Sequence, residues 1–247
     1  MHSLWEVVVI ATLAGVLGTG GGGLLMAFVP QTSKRTLGAF LGFSGGVMLA
    51  VSFLDLIPEA FGTGRVGSAV IGIITGMALI LILEHILPHA HYDSAHEEQA
   101  AHLKRVGILI GIGIAMHNIP EGFAIGAGFS AEVGLGWGLA LVMAIHNLPE
   151  GLAMATMLKG PKTSASTLVL ATSLAGLPMG IGAIGGYILG DVSPAGLAWA
   201  LGLAAGAMLY ITFSELLPDA YTFGERSPTT WGLILGVLLA LGMTLSL

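Results

Sequence analysis

The chain has 247 residues, of which 55% are hydrophobic and 9% charged, and its mean hydropathy is +0.91. A soluble domain carries roughly 25% charged residues, so a soluble globular protein is excluded. The net charge of −6 argues against nucleic-acid binding, and the absence of cysteine removes disulfides and thiolate metal sites. What remains is an all-α polytopic membrane protein.

Apolar runs near the ~20 residues that cross a hydrocarbon core predict eight transmembrane helices. In chain order they are about 4–29, 36–61, 66–88, 104–129, 133–158, 165–190, 194–220 and 229–246. The first has no basic segment ahead of it and is long enough to span, so it reads as a helix and not as a cleavable signal peptide. It carries a glycine run, Gly20 to Gly23, suited to tight packing or flexing. The second contains Met48 and ends in Asp55 and Glu59. After the third comes a polar stretch from His89 to Leu103, in which His89, His91, His96 and His102 lie among Asp93, Glu97 and Glu98. Such a tract suits weak metal binding, so a regulatory metal loop is expected there, with an ordinary solvated loop as the bland alternative.

Lys34, Arg35, Lys104, Arg105, Lys159, Lys162 and Arg226 fall in odd-numbered loops, and only Arg65 falls on the other side. The positive-inside rule then makes the odd loops cytoplasmic and puts both termini outside, in a cell (inner, cytoplasmic) membrane.

Residues 41–60, LGFSGGVMLAVSFLDLIPEA, align without gaps to residues 201–220, LGLAAGAMLYITFSELLPDA, with nine of 20 positions identical. Asp55 falls opposite Glu215, and Glu59 opposite Asp219. The second and seventh spans run in opposite directions, so the repeat is inverted, as in many secondary transporters. The expected organisation is 3+2+3. Residues 1–92 form the first three-helix repeat, 93–164 the His-rich loop with the central pair of spans, and 165–247 the second, inverted repeat. Asp55 and Glu59 would stand at the outer mouth and Glu215 and Asp219 at the inner one, attracting and handing over cations, unless they simply face water.

The fourth and fifth spans repeat each other at an offset of 29 residues, as His117-Asn118-Ile119-Pro120-Glu121-Gly122 and His146-Asn147-Leu148-Pro149-Glu150-Gly151. Histidine and glutamate four apart share a helix face, and Asn118 and Asn147 reach the adjacent side. Two imidazoles and two carboxylates at mid-bilayer depth need partners, and a divalent cation neutralises both acids at once. Imidazole, carboxylate and amide without thiolate suit Zn, Fe(II), Mn, Co or Cd better than Cu(I). Pro120 and Pro149 leave the Met116 and Ile145 carbonyls without their helical donors and should kink both helices at the motif.

The doubled motif, the eight spans and the His-rich loop resemble the ZIP (Zrt-, Irt-like) family of divalent-metal transporters, prokaryotic type. The resemblance implies metal uptake into the cytoplasm by alternating access, with no catalytic cofactor. The transported divalent metal would be held at the central site. It would place His117, Glu121, His146 and Glu150 on one metal and Asn118, Asn147 and the two glutamates on a second, with Met48 near the first. Many members carry a glutamate just before a proline in the sixth span. Here Leu177 precedes Pro178, which takes a carboxylate from the second position and points to one fully coordinated metal. Expected partners are divalent metal ions and the lipid bilayer, with a homodimer left open. Two rival readings are a membrane-embedded metal-dependent hydrolase, which would need an open metal position and a separate acid or base, and a metal-selective channel.

Overall fold

The computed structural model describes residues 2–28, 33–86, 99–159 and 163–245. Among them are eight helical stretches and no strand: α1 (Leu4–Phe28), α2 (Lys34–Gly62), α3 (Val66–Ile86), α4 (Gln99–Ala131), α5 (Val133–Leu158), α6 (Ala165–Val192), α7 (Pro194–Thr222) and α8 (Arg226–Thr244). In hydrocarbon every backbone polar group must find its partner within the protein, which is what a continuous helix achieves. Among the described residues, six of these helices are long and apolar enough to cross a membrane, and α3 adds the shorter apolar run Val66–Ile82. The chain is a multi-pass membrane protein. Helix α4 begins at Gln99, five residues before the expected start at Lys104, and so takes in the end of the stretch expected to be a loop. His89, His91 and His96 lie outside the described residues, and the side chain of His102 is outside them too.

Glycine decides which helices touch. Gly42 and Gly46 of α2 meet the backbone carbonyls of Thr229 and Leu233 in α8, and Gly232 and Gly236 of α8 meet those of Ala39 and Phe43 in α2. A Cβ at any of the four would collide with a carbonyl oxygen. The same four contacts recur between α7 and α3. There Gly202 and Gly206 face Ala69 and Ile73, while Gly72 and Gly76 face Trp199 and Leu203. Each residue in the second set lies 160 positions from its counterpart in the first. Small residues that let backbones approach are the main source of helix affinity where there is no water to expel.

The inner pair follows the same rule. Gly22 of α1 packs on the Leu148 carbonyl of α5, and Gly182 of α6 packs on the Ile119 carbonyl of α4. The Gly20 to Gly23 run therefore serves close packing, and α1 passes through it unbroken. Gly151 and Gly122, the last residues of the two motifs, sit against the backbones of Thr19 and Met179. Both motifs are thus held by the helix that packs against each.

The 41–60 and 201–220 segments share a local distortion as well as a sequence. Each passes through a π-helical turn, Val51–Leu56 in α2 and Thr212–Leu216 in α7. The Ile57 N–H reaches back to Ser52 O, and the Leu217 N–H to Thr212 O. Pro58 and Pro218 follow directly. A proline offers no N–H and crowds the preceding turn, and a widened π turn accommodates both effects. Burial matches too. Leu56 and Ala60 are buried like Leu216 and Ala220, Asp55 and Glu215 are half-buried, and Glu59 and Asp219 are exposed.

Candidate metal centre

Helices α4 and α5 continue through Pro120 and Pro149, and they bring their motifs together in the interior. Asn118, Glu121, His146, Asn147 and Glu150 are all buried. Glu121, His146 and Glu150 each offer one ligand atom, and these three atoms lie within 4.8 Å of one another. His146 Nε2 stands 3.1 Å from Glu121 Oε1. Donors on a tetrahedral zinc ion at Zn–O and Zn–N lengths near 2.0–2.2 Å stand ~3.4 Å apart, so a total closing movement of at most ~1.4 Å, shared between side chains, would complete the set.

What marks this cluster is its unmet demand. Glu121 Oε2, both oxygens of Glu150 and Asn147 Oδ1 are buried with no hydrogen-bond partner among the described residues. Buried carboxylate oxygens are normally satisfied, and an uncompensated buried charge costs several kcal/mol. Two ionised carboxylates within 4.8 Å of each other repel by at least about 3.5 kcal/mol at an effective dielectric near 20. A divalent cation turns that repulsion into attraction and takes up the orphaned oxygens together.

The two asparagines differ in their roles. Asn118 Nδ2 donates to Ile114 O at 2.9 Å and to Ala175 O at 3.1 Å, while its Oδ1 accepts from Asn147 Nδ2 at 3.0 Å. A terminal atom facing two carbonyl oxygens must be the nitrogen, which fixes the orientation of both amides. Asn118 Oδ1 is thus already engaged by Asn147, whereas Asn147 Oδ1 has no partner among the described residues. The Ala175 carbonyl is available because α6 is interrupted beside it. Its two segments, Ala165–Gly176 and Pro178–Val192, meet at Leu177; the carbonyl that Pro178 leaves without a helical donor is that of Leu174, which takes the Leu177 N–H at 3.3 Å. Leu177 itself is 44% exposed, so the position expected to lack a carboxylate also points away from the core.

His117 stands apart from the trio. Its Nε2 pairs with Glu215 Oε2 of α7 at 2.9 Å, with side-chain exposures of 11% and 34% respectively. The expected grouping of four motif ligands is thus three together and one turned toward a more exposed acid. Glu215, expected at a mouth, is in direct contact with the motif. Asp55, its counterpart in α2, lies half-buried in the other π turn, and Glu59 and Asp219 are exposed. Met48 is fully buried, and its sulfur receives the Thr212 hydroxyl at 3.8 Å, which links α2 to α7. Sequence reasoning missed Ser44, whose hydroxyl donates to the His146 carbonyl at 2.8 Å and anchors the motif of α5 to α2. One serine in a glycine-rich span carries no signal that would have singled it out.

The profile of the family described as ZIP Zinc transporter matches residues 5–102 and 88–244. This chain belongs to the ZIP family. Similar relatives include proteins named zinc transporter ZupT from Corynebacterium glutamicum, 37% identical over 92% of this chain and 93% of the relative, and from Chlorobium limicola, 35% identical over 96% of each. A protein named zinc transporter GufA from Myxococcus xanthus is 32% identical over 96% of this chain and 98% of the relative. ZIP proteins are transporters and not enzymes, so the metallohydrolase reading drops out.

Proposed function

We propose that this protein imports a divalent transition metal, zinc first among them, into the cytoplasm by alternating access. The observation that carries the reading is the set of four partnerless buried oxygens around His146. Glu121, His146, Glu150 and the Asn147 amide oxygen would hold one metal ion, and His117 would complete or receive it. An imidazole, two carboxylates and an amide without thiolate favour zinc and its neighbours over copper(I), in keeping with the names of the relatives. Asn118, whose amide oxygen is already engaged by Asn147, and Leu177, with no acid to offer, argue against a second equal metal.

The packing repeat at an offset of 160 supports a 3+2+3 inverted arrangement, with α1–α3 and α6–α8 as the halves and α4 and α5 between them. Transporters of this kind place substrate where the repeats meet and expose it alternately to each side. The two halves here are in unequal states. His117 has left the trio for Glu215, whereas His146 stays with Glu121 and not with Asp55. With odd loops cytoplasmic, Glu215 lies on the inner side of the site, so His117 and Glu215 would form the first exit step. Asp55 would serve entry, Glu59 and Asp219 the outer and inner mouths, and both termini would face outside the cytoplasmic membrane. The His89, His91, His96 and His102 tract would take up metal weakly on the inside.

The test is uptake by purified protein in sealed vesicles, comparing Zn, Fe, Mn and Cd. Wild-type protein should accumulate metal with a saturable flux, and His117→Ala and Glu150→Ala should reduce it at least tenfold. Intact uptake in both variants would refute the site, and flux that does not saturate would favour a channel over a carrier.

A further inference from the structure

A groove of about 580 Å³ opens between α2, α5 and α8, within the ~300–1,000 Å³ typical of small-molecule sites. Its walls are apolar, formed by Phe43 of α2, Leu148 and Pro149 of α5, and Trp231 and Leu235 of α8. Trp231 and Leu235 are 62% and 56% exposed, so the groove faces outward along the helices. One end is different. Arg35 and Ser227, the second residues of α2 and α8, also line it. Arg35 is exposed and makes no ion pair or side-chain hydrogen bond with a described residue.

The N-termini of α2 and α8 are neighbours, because Gly38 packs on Gly224 and Glu225. Both helices therefore point their positive ends at this mouth, where Lys34, Arg35 and Arg226 outnumber the acid Glu225. An apolar slot closed at one end by a guanidinium, a hydroxyl and two helix N-termini matches a molecule with an anionic head and a hydrocarbon tail. The fold's own repeat supplies a control. At the positions related by 160 residues, Ala195 replaces Arg35 and Gly67 replaces Ser227. The polar end is thus a property of one copy and not a by-product of the architecture.

We propose that this groove is a binding site for an anionic phospholipid, with the phosphate on Arg35 and Ser227 and an acyl chain lying against α5 beside the Pro149 motif. A free phosphate would leave the apolar walls unused, which favours the lipid as the source of the anion. Because one wall is the helix that carries His146 and Glu150, an occupied groove would wedge α5 against α2 and α8.

Native mass spectrometry of the purified full-length protein tests this with phosphatidylglycerol and phosphatidylcholine of identical chains. One phosphatidylglycerol should be retained about fivefold more tightly than phosphatidylcholine, the scale expected for one basic residue at an anionic headgroup. Arg35→Ala should abolish that preference and Arg65→Ala should keep it. A phosphatidylglycerol with a photoreactive acyl chain should label α2, α5 and α8 around Phe43, Leu148 and Leu235, and Leu235→Trp should suppress the labelling while Arg35 remains. Equal retention of the two lipids, loss of preference in Arg65→Ala as in Arg35→Ala, labelling spread over all helices, or competition by inorganic phosphate at the lipid's own concentration would each overturn the proposal.

Discussion

At the scale of single residues, the metal centre is built at a cost to the metal-free protein. Glu121 and Glu150 are buried acids within 4.8 Å of His146 and of each other, and the Glu150 carboxylate has no hydrogen bond among the described residues. Glu150→Gln should therefore act in opposite directions on two measurements. Metal affinity, read by calorimetry or equilibrium dialysis, should fall at least tenfold. The melting temperature of the metal-free protein should rise, because carboxylate repulsion on the order of 3.5 kcal/mol is relieved. Asn118→Asp separates a ligand from a brace. A carboxylate there would face the Ile114 and Ala175 carbonyls that now receive two N–H donors, a loss of about 2–4 kcal/mol. Melting of the metal-free variant should drop by several degrees, and added zinc should not restore it; recovery with zinc would return Asn118 to the ligand set. The motif residues were legible in the sequence because the pattern occurs twice at a fixed offset. The division of labour between Asn118 and Asn147 was not, since it depends on the Ala175 carbonyl, which comes from a helix 57 residues away.

At the scale of helices, the glycines are the best predictors of contact. Gly46→Leu or Gly206→Leu would drive a branched side chain into the Leu233 or Ile73 carbonyl. Both variants should fail to yield monodisperse protein in detergent or should melt well below wild type. Gly62→Ala, with open space around it, should be neutral within ~0.5 kcal/mol. Equal damage from all three would show that the close approaches do not hold the bundle. Span positions were readable from hydropathy to within a few residues, except for the start of α4. There the charged and polar residues after Gln99 continue the helix, which hydropathy alone cannot register. The π turns were invisible for a different reason. The sequence marks Pro58 and Pro218, but a proline is compatible with a kink, a break or a widened turn, and packing selects among them. Pro120 and Pro149 pass through continuous helix, while Pro178 follows an interruption, which makes the same point.

At the scale of the molecule, the decisive feature is a symmetric framework holding an asymmetric site. Framework contacts repeat residue for residue at 160 positions, yet the motif histidines do not behave alike. His117 reaches Glu215, and His146 reaches Glu121. If the transport cycle exchanges the two halves' conformations, as the alternating-access proposal requires, the other state would return His117 to the trio and turn His146 toward Asp55. The half-buried carboxylates in the two π turns would then be equivalent stations, one used on each side. That reading makes Asp55→Asn and Glu215→Gln distinguishable by kinetics. Asp55→Asn should raise the metal concentration for half-maximal uptake severalfold and leave the maximal rate near wild type, because only capture is weakened. Glu215→Gln should lower the maximal rate and leave equilibrium binding of metal at the central site within about twofold, because the ion loses its first acceptor on leaving. Parallel stopped-flow uptake and equilibrium binding on the same preparations give both quantities. Identical kinetic signatures in the two variants, or unchanged uptake in both, would sink the assignment of opposite sides. The sequence alignment paired Asp55 with Glu215 but could not reveal that only one of them now holds a histidine, since the two conformations share every residue.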